Sequence, residues 1–370
     1  MPAYDAAVAG LGGVGSAAAA HLAGRGLRTI GLDPRPAAHS EGASHGESRI
    51  VRQVYFEGAT YVPLLRRTYE LWADLAEPDG TSLLRTTGGL FLGGPDTRVF
   101  AGSLATADAW DLEHEVLSAT DVARRFPALR PPPDVEAIWE PAAGTVRPES
   151  AVLAHLRRAA ANGAELRHDE AVTGWEATAD GVRVTTTRGV VEAGALVLAP
   201  GRWTPDLLQL DLPLAIERRV QHWFAPESVA DFLPGRLPVW IWDRADGTSL
   251  YGVPSQNGVD VKAAVHFSTL REPADWSVDE VATTLAELAP TLGRRHVRSA
   301  PCWYTLTPDQ DFVVGPHPAA SRVLLACGFS GHGFKFTPVL GEVLADLVTE
   351  GGTQFDLSTF DPTRFAVTTA

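Results

Sequence analysis

The residues Gly10-Leu11-Gly12-Gly13-Val14-Gly15 follow a short apolar run, Tyr4 to Ala9, and lead into an alanine-rich stretch that stops at Gly26. The run suits a buried parallel strand. After such a strand Gly10 permits a tight turn, Gly12 lets the backbone approach a pyrophosphate, and Gly15 lets helix pack closely on strand. The helix, read from about Val14 to Arg25, turns its free N–H groups and positive dipole end toward the phosphates. Leu27 to Asp33 reads as the second strand. Asp33 lies about twenty residues past the glycines, where an acceptor for ribose hydroxyls is expected. Strand, turn, helix and acid together point to a bound dinucleotide, and an acid at this place favours NAD or FAD over NADP.

A second set of residues could act on a substrate. Arg49 and Arg52 stand three apart in the polar segment after the first βαβ unit, with Ile50 and Val51 between them. They are either solvated surface arginines or planar forks for an anion, and a fork suits bidentate recognition of a carboxylate. Lys262 sits in an otherwise apolar strand, Val259 to Phe267, as an outward-facing residue or a buried cation. His266 follows at i+4, on the same strand face. Lys335 ends the loop Gly328-Phe329-Ser330-Gly331-His332-Gly333-Phe334-Lys335-Phe336; read alone it is a lysine at a helix start. Cys302 is either a small buried thiol or a nucleophile, which as a thiolate needs nearby positive charge. Cys327 reads as a core cysteine.

These segments occur in the order and spacing of a known family. The chain resembles the monomeric sarcosine oxidase and N-methyltryptophan oxidase family, within the wider D-amino-acid-oxidase-like flavoproteins. The resemblance covers nearly the whole chain. It rests on Gly10 to Gly15, Ser44-His45-Gly46-Glu47-Ser48-Arg49-Ile50-Val51-Arg52, Trp203, Cys302-Trp303-Tyr304-Thr305 and Phe329 to Phe336.

The resemblance implies FAD, joined to Cys302 by a thioether at the flavin 8α carbon. It implies that Gly10, Gly12, Val14, Gly15, Asp33, Ser44, Arg49, Val172, Gly201, Trp203, Gly331, His332, Gly333, Phe334 and Lys335 contact the cofactor. Arg52 and Lys335 would clamp the carboxylate of a small amino-acid substrate, near Tyr251 and Gly331. Arg49, His45, His266 and Lys262 would take catalytic roles: Arg49 against the flavin, His266 beside the substrate, and Lys262 promoting electron transfer to oxygen. The implied reaction is oxidation of the C–N bond of a secondary amino acid to an imine, with oxygen reduced to hydrogen peroxide. Ser44 departs from the sarcosine-oxidase version. So do Gln221-His222-Trp223 and Trp240-Ile241-Trp242, whose aromatics are expected to line a wider, more apolar pocket. A same-fold flavin dehydrogenase or desaturase, and a non-catalytic FAD-binding protein, remain as alternatives.

The elements that must position these residues can be read along the chain. Helices are expected at Tyr61 to Leu75, at Glu149 to Asn162 with Val152, Leu153, Leu156 and Ala159 on one face, and at Pro338 to Thr349. Strand-like runs include Leu84 to Gly93, residues 164–168, Gly181 to Thr186, Ala195 to Pro200, Val220 to Phe224, Val239 to Trp242, Ser249 to Val253 and Val323 to Ala326. Pro127 to Pro133 reads as a surface connection. The fold class is α/β (α+β overall). A discontinuous Rossmann-like FAD-binding domain is expected from residues 1–82, 145–212 and 306–370. A substrate domain on a mixed, antiparallel-rich sheet is expected from residues 83–144 and 213–305.

Composition narrows the partners. The 370 residues are enough for two cores. A net charge of −14 argues against nucleic acid and anionic membrane. No apolar run reaches the length of a membrane span, and no metal site is expected. Residues 1–3 leave no room for a signal peptide before the first strand. Two cysteines make no disulfide framework. A cytoplasmic protein is therefore expected, and the family resemblance implies a monomer.

Overall fold

The computed structural model describes residues 2–365. Two eight-stranded sheets and one three-stranded sheet organise them. In the first large sheet Tyr4–Ala9 lies parallel between Thr29–Leu32 and the far half of the long strand Gly189–Leu198. That strand serves two partners along one edge. Its first half pairs antiparallel with Val182–Thr186, and its last residues pair parallel with Ala320–Cys327. The parallel strands are buried on both faces, which is why they read as unbroken apolar runs rather than alternating ones.

The helix Gly13–Gly24 is buried almost all round, packed against Pro148–Ala161 and Thr337–Glu350. Small residues make this possible. A Cβ on Gly341 would sit 2.6 Å from the Ala17 backbone, so the two helices approach at a point where only hydrogen fits.

The second large sheet runs in the order 296–306, 215–224, 261–268, 248–253, 239–243, 89–93, 136–140, 115–118. All neighbours are antiparallel except Gly89–Gly93 with Val239–Asp243, which are parallel. Its long strands leave Arg219, Gln221, Ile241, Tyr251, Lys262, Ala264, His266, Cys302 and Tyr304 facing one cavity. A small sheet of Arg49–Val51, Gly144–Val146 and Leu84–Thr86 adds Arg49. Arg49 is thus the first residue of a short strand, not part of a loop.

Several expectations need correction. Leu84 to Gly93 is two strands in two sheets, Leu84–Thr86 and Gly89–Gly93. The break falls at Gly88, whose φ of +73° ends the extended run and where a Cβ would meet the Trp139 ring at 1.8 Å. Leu153 points outward, 38% exposed, while Val152, Leu156 and Ala159 are buried. Pro127 to Pro133 does connect elements over irregular backbone, but it plants Ala128 and Leu129 in the core around Trp240. Trp240 and Trp242 belong to that core too, because strand alternation turns only Ile241 toward the cavity. Trp223 lies under Arg298, 3.9 Å from its guanidinium carbon, and donates to Glu47. The expected aromatic pocket lining from these positions is absent.

Candidate active site

The glycine turn opens into a cavity of about 620 Å³ that runs from Asp33 to the second sheet. Gly10 has φ +91°, and a Cβ there would lie 2.5 Å from the Ala199 carbonyl oxygen. Gly15 does not line the cavity; a Cβ on it would lie 1.8 Å from the Gly10 oxygen, so its glycine serves helix-on-strand packing. A Cβ on Gly12 would meet nothing nearer than Ser44 Oγ at 3.5 Å, so that backbone is open to the cavity. Ser44 Oγ accepts from the Gly13 N–H at 3.0 Å. Asp33 closes this end, its Oδ2 accepting from Leu11 N–H and its Oδ1 from Arg35 N–H. Trp203 stands between Arg35 and Arg202, whose guanidinium carbons lie 4.2 and 4.4 Å from its ring centre. Val172 and Gly201 complete the wall.

At the centre, Cys302 is buried and its Sγ lies 3.6 Å from Arg49 Nη2. Arg49 is held by the Ser48 and Ala43 carbonyls, at 2.8 and 2.6 Å. Lys262 is a buried cation, not an outward-facing one. Its Nζ donates to Ser48 O at 2.5 Å, Gly46 O at 3.0 Å and Gln221 Oε1 at 3.3 Å. Burial, and then the Arg49 charge, push its ammonium well below the usual lysine range. His266 and Lys262 share the cavity face, as the i+4 spacing implies. Burial lowers the His266 ring to about 3, so it is neutral at physiological pH, and its Nδ1 lies 3.0 Å from Tyr304 Oη.

At the far end Arg52 is buried and ion-paired to buried Glu57 at 2.5 Å. Burial alone would raise the Glu57 carboxyl, but the charges around it, Arg52 first and Lys335 with it, together hold the group at about 2. Lys335 Nζ donates to His332 O at 2.6 Å, and burial together with Arg52 brings its ammonium down to about 7. Tyr251 lines the cavity beside His266, its ring centre 6.2 Å from the imidazole. The tightness of the glycine loop comes from side chains: a Cβ on Gly331 would be 2.2 Å from the Tyr304 ring and one on Gly333 2.6 Å from Phe329 Cβ.

All expected site residues therefore converge on one cavity except Gly15 and His45. His45 is buried without lining it. Its Nε2 has no hydrogen-bond partner, and burial and Arg49 lower the ring to about 4. Glu57, Arg219 and Gln221 line the cavity without having been expected there. Period-two alternation through 215–224 puts Arg219 and Gln221 on one face and could have found them. Glu57 sits in irregular backbone and offers no such signal.

An α/β dinucleotide fold whose glycine turn opens onto a cavity of buried cations and a cysteine defines a flavin-type oxidoreductase. The chain belongs to the DAO family, FAD dependent oxidoreductases, which it matches over residues 5–347. It is 46% identical to the monomeric sarcosine oxidase of Streptomyces avermitilis, with all of both chains covered. It is 33% identical to the N-methyl-L-tryptophan oxidase of Yersinia pestis, over 98% of this chain and 99% of that one. Among solved structures it is similar to NikD, an amino acid oxidase essential for nikkomycin biosynthesis, at 28% identity and a TM-score of 0.85, covering 98% of each chain. The cofactor is FAD, and the open glycine turn, Asp33 and the wide cavity fit it.

Proposed function

We propose that the protein oxidises the C–N bond of an N-methyl or cyclic secondary amino acid to an imine, with oxygen reduced to hydrogen peroxide. The observation that carries this reading is one cavity with a dinucleotide turn at one end and the buried pair Arg52 and Lys335 at the other. FAD, when bound, would supply the two-electron redox chemistry that links amine oxidation to oxygen reduction.

The chain's own residues do the rest. Gly10, Gly12, Val14, Asp33, Val172, Gly201, Trp203 and the loop Gly331 to Lys335 would hold FAD, with Cys302 tethering it covalently. Arg49 stands beside Cys302, its Nη2 3.6 Å from the sulfur that would form such a bond. Arg52 offers its fork to the substrate carboxylate, in exchange for part of its contact with Glu57, and Lys335 adds a point charge. Neutral His266, with Tyr251 and Tyr304, borders the amine without placing a second cation against it. Lys262, held by three oxygens, presents positive charge where reduced oxygen would carry negative charge. His45 acts from behind this wall, through Arg49. Residues 1–82, 145–212 and 306–370 would form the FAD domain, with 1 and 366–370 outside the described residues, and 83–144 and 213–305 the substrate domain. In support, the two large sheets draw their strands from these segments, apart from the overlap of His296–Leu306 at the boundary.

Among the described residues no helix is long and apolar enough to cross a membrane, and no cluster of His, Cys, Asp and Glu could hold a metal ion. Neither Cys302 nor Cys327 is in a disulfide, which suits a reducing cytoplasm, and a monomer accords with the monomeric sarcosine oxidase named above.

The test is acid precipitation of the purified protein, with visible spectra of pellet and supernatant. Yellow colour stays in the pellet, and Cys302→Ser releases it. Colour released from the unaltered protein would refute the covalent tether. A protein that yields no peroxide with any secondary amino acid would refute the reaction.

A further inference from the structure

Tyr55 does not line the cavity, yet both cations of the proposed clamp stand on its ring. The Arg52 guanidinium carbon lies 4.3 Å and the Lys335 Nζ 4.9 Å from the ring centre. The electron-rich face offsets part of the repulsion between two like charges held close together in a dry site. The ring itself cannot drift. It is fully buried and packed by Tyr61, His332 and Phe336.

The hydroxyl is oriented as well. His332 Nε2 faces the Gln310 carbonyl oxygen at 2.9 Å. A carbonyl only accepts, so Nε2 carries the hydrogen, and burial keeps the ring neutral with Nδ1 bare. Tyr55 Oη lies 2.5 Å from that Nδ1 and must donate to it. Its lone pairs are then turned to accept from Lys335 Nζ at 3.4 Å. With one ammonium hydrogen on His332 O and one on Tyr55 Oη, the third is left for the cavity.

We propose that Tyr55 is a positioning residue of the carboxylate clamp: its ring carries Arg52 and Lys335, and its hydroxyl, oriented by His332, fixes the Lys335 ammonium. This rests on the reading that Arg52 and Lys335 take the substrate carboxylate. The charged and titratable groups around the ammonium are Arg52, Glu57, His332 and Tyr55 itself. Removing the hydroxyl takes away a group that stabilises the charged form, so Lys335 should lose its proton at lower pH.

The probe is butyrate, the carbon isostere of N-methylglycine, which has no C–N bond to oxidise. Its dissociation constant is measured on the holoenzyme by tryptophan fluorescence across neutral pH. In the unaltered protein binding weakens as pH rises through about 7, where Lys335 gives up its charge. Tyr55→Phe keeps the ring and is expected to move this midpoint down by up to about one unit, weakening binding roughly 3- to 10-fold just above neutrality. His332→Leu, which frees the hydroxyl from its acceptor, moves it the same way and serves if Tyr55→Phe does not fold. Lys335→Met abolishes the pH dependence. An unmoved midpoint in both variants, with Lys335→Met still weakening binding, overturns the role of Tyr55 and leaves the clamp standing. If Lys335→Met binds butyrate like the unaltered protein, the clamp itself falls, and the role of Tyr55 with it.

Discussion

Arg52 carries the most exacting local constraint in the cavity. Its Nη1 donates to Val54 O at 2.9 Å while Nη2 holds Glu57, both side chains being almost fully buried in the cavity wall. Arg52→Gln is expected to lower kcat/KM by roughly 10- to 100-fold, the worth of about 1.5–3 kcal/mol in charge-assisted hydrogen bonds. Steady-state kinetics with a secondary amino acid check this, and the loss falls mainly on KM if the arginine binds ground state and transition state alike. Removing the guanidinium also leaves Glu57 buried and unpaired, so its carboxyl rises and the variant melts at lower temperature. At this scale the sequence was informative where a residue sat in a regular strand. Lys262 and His266 could be placed on one face from spacing alone, and the choice between a buried and an outward lysine then needed the neighbouring carbonyls of Gly46 and Ser48. Those carbonyls, and Glu57 and Tyr55, belong to irregular backbone on either side of the three-residue strand Arg49–Val51, where no period exists to be read.

Elements built on helical period were legible to within a few residues. The helices Val62–Ala73, Pro148–Ala161 and Thr337–Glu350 follow their apolar stripes and proline boundaries, whereas Gly13–Gly24, buried almost all round, is marked by its glycine turn, its alanines and Gly26. The helices Arg98–Trp110 and Val278–Leu288 escaped notice. The first is interrupted by Gly102, which lies against Phe56. The second does carry a Ser277–Glu280 capping box that marks its start. The split of 84–93 between two sheets could not be seen, because it depends on where the Trp139 ring falls. Two glycine replacements test the packing of the first helix. Gly15→Ala drives a methyl group into the Gly10 oxygen, displaces the phosphate turn, and is expected to yield protein with little bound FAD, read as the ratio of visible to ultraviolet absorbance. Gly341→Ala presses on the Ala17 backbone, one helical step beyond the turn and outside the cavity lining. It is expected to cost about 1–3 kcal/mol of stability, seen in thermal melting, while FAD content stays near normal.

Across the whole molecule, His45, His155, His222, His266 and His332 are buried, and burial lowers each ring to between about 3 and about 4. An unfolded histidine binds its proton near pH 6.5. The folded state therefore binds fewer protons below that value, and stability falls as pH drops from about 6.5 toward about 4. The thermal midpoint of the holoenzyme is expected to be level above about pH 7 and to decline steeply below about pH 6; a flat profile through this range would show that the rings are not buried as neutral groups. Two sheets meeting at a single cavity also explain why the site was readable from segments nearly three hundred residues apart. The glycine turn, the glycine-rich loop and the Cys302 strand all line that cavity.

The central claim is that the cavity turns a secondary amino acid into an imine at the expense of oxygen. Anaerobic addition of N-methyl and cyclic amino acids to the yellow holoenzyme, followed by air, addresses it most directly. Loss of the visible absorbance, its return with oxygen, and one hydrogen peroxide per amine consumed are the expected results. Colour that no secondary amino acid bleaches, or bleaching that oxygen does not reverse with release of peroxide, would contradict it.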